Sequence, residues 1–159
     1  MLYRPSEEVV EAIRAIVFSV IQAFISCTSV INMYLSDNSD RKAANYRNSF
    51  GGNLLFRPVA ITEYFNAAIA LIDYGKTYED AFLMLNGLQL NLSENPWKGF
   101  LWDGSKMIGR VSKSTIKDLL IHMADKNVLS SQEYKTMRQV YCRSLNISEA
   151  DADMVLNEL

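Results

Sequence analysis

The chain predicts a mainly α fold: a single-domain helical bundle of about six helices over residues 1–159, with a long N-terminal helix and at most one small β-hairpin near residues 99–108. Three observations carry this expectation. Apolar residues recur at helical spacing in one segment after another, most of them opened by a capping residue. Only seven Gly and three Pro interrupt 159 residues, which leaves little room for long structureless loops. A single pair, Asp103-Gly104, sits between two apolar runs in the manner of a hairpin turn. With 49% apolar and 21% charged residues, the chain is globular in composition and long enough to bury a core.

The first helix is expected over residues 6–35. Ser6 can cap it, and Glu7 and Glu8 suit the positive end of its dipole. At nearly thirty residues it is unusually long and apolar around most of its circumference. Such a helix must be covered on several sides, either as the central helix of the domain or by contact with another subunit. Residues 36–53 are rich in turn formers and read as a loop, with one short helical piece around Lys42 to Arg47. Leu54 to Pro58 reads as extended, because Pro58 biases Arg57 away from the α region. A helix over 61–74 should turn Phe65, Ala68, Ile69 and Ile72 inward and stop at Gly75.

Thr77 and Asp80 resemble a capping box that opens a helix over 77–90, with Ala81, Met84, Leu85 and Leu88 inward. The hairpin would have Gly99–Trp102 and Lys106–Ile108 as its arms. Three helices then close the chain, over 114–125, 131–142 and 149–158. The first should bury Ile116, Leu119, Leu120 and Met123. The second follows a Ser130/Glu133 capping box and buries Tyr134, Met137 and Tyr141. The third follows Ser148/Asp151 and buries Ala152, Val155 and Leu156.

Charge and cysteine content exclude several classes. The net charge of −2 gives no global bias toward nucleic acid. Cys27 and Cys142 lie far apart, with no CxxC and a single His122, so zinc is not expected and two reduced, mostly buried thiols in a cytoplasmic protein are. No metal, cofactor or catalytic constellation is expected. Residues Ala15 to Ser36 carry no charge, a run long enough for a bilayer. Ser19, Gln22, Ser26 and Ser29 nevertheless form a polar stripe along one helical face, extended by Asn32 and Ser36, which favours an interface helix without a membrane. Glu7, Glu8 and Glu11 occupy the place of a signal peptide's basic region, so no such peptide is expected.

Several residues invite a functional reading. Ile16, Val20, Phe24 and Ile31 on the long helix are candidates for an interface with a second copy or a partner protein. Lys98, Lys106, Arg110, Lys113 and Lys117 fall within twenty residues, opposed only by Asp103 and Asp118, and are candidate DNA contacts, with Arg41 and Arg47 as helpers. Trp97 and Trp102 could stack on a base, although aromatics in such a unit more often anchor it to the core. His122, with Asp118 one turn earlier, is the sole acid–base candidate for a small-molecule enzyme. Gly51-Gly52 lacks phosphate-loop spacing, and the acidic tail from Ser148 lacks that of a calcium loop.

Two motifs carry a family resemblance. One is Leu55-Phe56-Arg57-Pro58-Val59 leading into a helix. The other is Asn95-Pro96-Trp97-Lys98-Gly99-Phe100-Leu101-Trp102-Asp103, followed by Lys106-Met107-Ile108 and Asp118-Leu119-Leu120. Across about residues 50–125 the chain resembles the C-terminal helical region of DGQHR-domain proteins, the DndB-like group associated with DNA sulfur modification. The Asp-Gly-Gln-His-Arg signature itself is absent. The resemblance therefore implies a setting, a bacterial cytoplasmic protein linked to DNA modification or phage defence, and transfers no activity. The leading expectation is a non-enzymatic module for self-association or docking through its first helix. DNA binding through residues 98–117 and a small-molecule enzyme are the alternatives.

Overall fold

The computed structural model describes residues 5–158, and they are mainly helical. Eight α-helices and one 3₁₀ turn occur among the described residues: α1 Glu7–Cys27, α2 Ser29–Ser36, α3 Lys42–Tyr46, the 3₁₀ turn Leu54–Phe56, α4 Pro58–Asp73, α5 Tyr78–Asn86, α6 Lys113–Ala124, α7 Ser131–Leu145 and α8 Glu149–Asn157. The helices pack in the spatial order α1, α5, α4, α6, α7, α8, with α5 also touching α6. The central helix is therefore α4, not the N-terminal one, and α1 lies at the edge of the bundle.

The long helix expected over 6–35 is broken at Thr28, whose backbone is extended at φ −106°, ψ 99°. The polar stripe supplies the reason. A break exposes carbonyls at one helix end and N–H groups at the next start, and each needs a partner. The Asn32 side chain donates to the carbonyls of Ile25 (2.7 Å) and Ser26 (3.3 Å) at the end of α1. Asn86, at the end of α5, accepts from both the backbone N–H (2.8 Å) and the hydroxyl (2.9 Å) of Ser29. Residues that look like a solvated face thus serve as the caps of a corner.

Proline at the first position of α4 fits there because its missing N–H is not needed, and the helix starts at Pro58 rather than Ile61. Its buried face is turned from the expected one. Ala60, Glu63, Tyr64, Ala67, Ala68 and Leu71 are buried, whereas Ile69 is exposed. Because α4 is central, it buries a broad arc rather than one stripe. The next helix, α5, ends at Asn86, before the Leu90 expected, and buries Phe82 with Ala81 and Leu85 while Met84 and Leu88 are half-buried. Capping occurs as read from sequence at Thr77, Ser130 and Ser148, the Ser130/Glu133 box being reciprocal. Arg138 of α7 clamps α8 through Asp153 and Glu149, its Nη2 lying 2.6 Å from one Asp153 oxygen.

The unit around the tryptophans is not a regular hairpin. Only isolated bridges form, Trp102 with Met107 and Lys98 with Trp102. The turn is shifted by one residue: Asp103 N–H donates to the Lys106 carbonyl, while the Asp103 carboxylate accepts from Ser105 and Lys106 N–H. The side chain of Asp103 competes for the donors a two-residue turn would use. The segment acts as a plug. Trp97, Phe100, Leu101 and Trp102 are buried, Trp97 donates to the Gln89 carbonyl (2.6 Å), and Phe100 packs on Tyr141 with ring centroids 5.2 Å apart.

Candidate functional site

Along α1, Val9, Ile13, Ile16, Val20, Phe24 and Cys27 follow one another at spacings of four, three, four, four and three, which places them on one face. The C-terminal end of that stripe docks into the bundle. Phe24 is 8% exposed and lies 4.7 Å from the Phe65 ring centroid and 5.5 Å from that of Phe82. Toward its N-terminal end the stripe is left uncovered by the other described residues. Val9, Ile13, Ile16 and Val17 are exposed, Ile16 at 54%, while Phe18, 67% exposed, lies on the opposite side of the helix with Glu11 and Arg14. Ala23 and Phe24 are the only fully buried residues of α1.

Beside the exposed flank runs an apolar groove of about 450 Å³, lined by Ile21, Phe24 and Ile25 of α1, Ile31, Tyr34 and Leu35 of α2, and Leu55, Phe56, Ile61 and Phe65 from the 3₁₀ turn and α4. No charged residue lines it. The α1 hydroxyls bordering this surface are turned back on their own helix: Ser19 donates to the Ala15 carbonyl (3.0 Å) and Ser26 to that of Gln22 (2.8 Å). The four expected interface residues therefore differ in kind. Ile16 is open to solvent, Val20 and Ile31 are half-buried against the core, and Phe24 belongs to the core itself. Phe24 packs on the core and at the same time forms part of the groove lining.

Among the described residues α1 is the one helix long and apolar enough, by length and composition, to cross a membrane. The break at Thr28 shortens the uncharged run to Ala15–Cys27, about 20 Å of helix against a hydrocarbon core of about 30 Å. Part of that run is packed on α5.

Among the five basic candidates, Lys98, Lys106, Arg110 and Lys113 are exposed. Lys117 is half-buried and pairs with Asp118 at 3.2 Å. Both tryptophans point inward, Trp97 at 0% and Trp102 at 4% exposure, so base stacking on them is closed. His122 is buried. One ring nitrogen, Nε2, lies 3.1 Å from the Leu156 carbonyl, and its ring packs on Tyr134 at 5.0 Å. It makes no hydrogen bond to Asp118. Burial lowers the His122 pKa, the Leu156 carbonyl opposing this, and burial raises that of Asp118, against the pull of Lys117. The imidazole is thus kept neutral in a fixed structural contact between α6 and α8. The Cys142 thiol is buried and pushed up by that burial. No group of three or more His, Cys, Asp or Glu placed to hold a metal ion occurs among the described residues.

The class the fold defines is a small helical bundle with one unpartnered apolar edge. No family model matches the chain, and comparison with curated proteins and with solved structures likewise finds no match.

Proposed function

We propose that this chain is a non-enzymatic association module whose α1 edge pairs with a second copy of itself. The observation that carries this reading is the continuation of one helical stripe from core to solvent: the same face that buries Phe24 presents Val9, Ile13, Ile16 and Val17 uncovered. On that one face Val9, Ile13, Ile16 and Val17 are each about half exposed, a contiguous apolar patch of the kind that marks an interaction surface. A two-fold arrangement would lay the α1 of one copy along the groove of the other, because ridge and groove adjoin on the same edge.

A membrane surface is the competing occupant. It is less favoured because the charged residues off the stripe are Glu7, Glu8 and Glu11 against Arg14 alone, whereas helices that lie on anionic bilayers carry mainly Lys and Arg there. The DNA-modification setting rests on the sequence resemblance alone and fits a component that assembles rather than reacts. Size-exclusion chromatography with light scattering tests the reading. A dimer at about 100 µM that dissociates on dilution is expected. A clean monomer at that concentration removes the self-association claim, and flotation with liposomes would move the edge to the membrane.

A further inference from the structure

A second cavity, of about 220 Å³, opens where the 51–58 segment meets the tryptophan plug. Arg57 and Arg47 line it, with walls from Val59, Leu101, Ile108 and Ile116, and no carboxylate lines it. It shares no residue with the α1 edge.

Arg57 is the unusual member. It is 9% exposed, yet it forms no ion pair among the described residues. One of its terminal nitrogens donates to the Gly51 carbonyl, and its guanidinium sits 5.4 Å from the centroid of a Trp102 ring. Its Nε–H is buried and has no partner. A buried guanidinium with no counter-charge is costly unless an anion compensates it. The backbone holds it there. Arg57 is the residue before Pro58 and caps α4 in an extended conformation, φ −112°, ψ 124°. Gly51 takes φ +102°, and a Cβ there would lie 2.9 Å from Leu92 Cβ and 3.1 Å from the Trp102 ring, so the loop reaches Arg57 only without a side chain. A second cation, Arg47, lines the same cavity, also without an ion-pair partner among the described residues. Two like charges converging on one small space reinforce the demand for an anion.

We propose that this cavity binds a small organic carboxylate, its charged end on Arg57 and Arg47 and its short apolar body against Val59, Leu101, Ile108 and Ile116. The guanidinium fork matches a carboxylate. A phosphate would leave oxygens facing aliphatic walls without donors.

Hexanoate, hexanamide and inorganic phosphate serve as probes, followed by thermal shift and by tryptophan fluorescence, since Trp102 adjoins Arg57. Hexanoate is expected to raise the melting temperature and change the fluorescence saturably at or below about 10 mM, with no response to hexanamide. Arg47→Ala, an exposed position that leaves the fold intact, should weaken hexanoate at least about fivefold, and Arg57→Met should abolish the response. Absence of any hexanoate response in the folded wild-type chain, an equal response to hexanamide, or a stronger response to phosphate would each overturn the proposal.

Discussion

Replacing Ile16 by glutamate separates association from folding. Ile16 is 54% exposed, so its side chain contributes little to the isolated bundle. Half an isoleucine is about 100 Å² of apolar surface, worth about 2.5 kcal/mol when covered, and a two-fold interface uses the residue twice. Binding also has ordering costs, and area overstates affinity. Half of the ~5 kcal/mol total still weakens dimerisation about a hundredfold, before the cost of burying two carboxylates is added. Sedimentation equilibrium of Ile16→Glu against wild type, with urea denaturation alongside, measures both quantities. The expected result is a folded monomer with an unfolding free energy within about 0.5 kcal/mol of the wild-type monomer. Phe24→Ala is the counterpart: it opens a cavity among Phe65, Tyr64 and Phe82 and should cost about 3–5 kcal/mol of stability. A wild-type dimer that tolerates Ile16→Glu unchanged would refute the reasoning.

Other outcomes follow from the same geometry. Asn86→Ala removes both acceptor contacts to Ser29 and should lower stability by about 1 kcal/mol in urea unfolding, whereas Asn86→Asp should retain most of it. The lowered pKa of buried His122 means that the unfolded chain takes up a proton which the folded chain refuses. Stability is therefore fully present above about pH 6.5 and declines as pH falls below it, by at most about 1.4 kcal/mol per unit, until the folded pKa is reached. His122→Gln should remove that dependence in urea midpoints measured from about pH 7.5 down to 5. With both tryptophans buried, any DNA binding through Lys98, Lys106, Arg110 and Lys113 is electrostatic alone, so mobility-shift retention should vanish by about 150 mM salt. Retention persisting there would restore the nucleic-acid reading.

Helical class, most segment limits and the Ser/Thr caps were legible because they depend on local rules that neighbouring residues do not overrule. Ser130 with Glu133 satisfies the same donors in any context. The break at Thr28 was not legible, since it depends on Asn86, 57 residues from Ser29 in sequence. The rotation of the α4 face was hidden for a related reason: a helix packed on both α5 and α6 buries Glu63 and Tyr64 that a one-sided stripe would leave outside. Asp103-Gly104 reads as a turn from sequence, but its register shifts by one residue because the Asp103 carboxylate captures the N–H groups of Ser105 and Lys106. Nothing in the residue pattern singles out Arg57 as a binding group. A lone arginine before proline reads as solvated, and its isolation emerges only when the tryptophan plug closes over it.

The α1 edge also shows why composition alone misjudges such a surface. A serine stripe normally hydrates a helix and lets it stand in water. Here the hydroxyls of Ser19 and Ser26 bond back to their own helix, Ser29 is taken by Asn86, and Asn32 is used on the corner carbonyls. These donors are used internally, and Val9, Ile13, Ile16, Val17, Phe18 and Ile21 stand exposed on the same helix. The same corner ties α2 to α5, and α1 itself forms one wall of the groove facing α2 and α4. In the proposed pairing, an apolar ridge already anchored to the bundle through Phe24 would lose less conformational freedom on docking than a free helix, so preorganisation would add to the buried area in its favour.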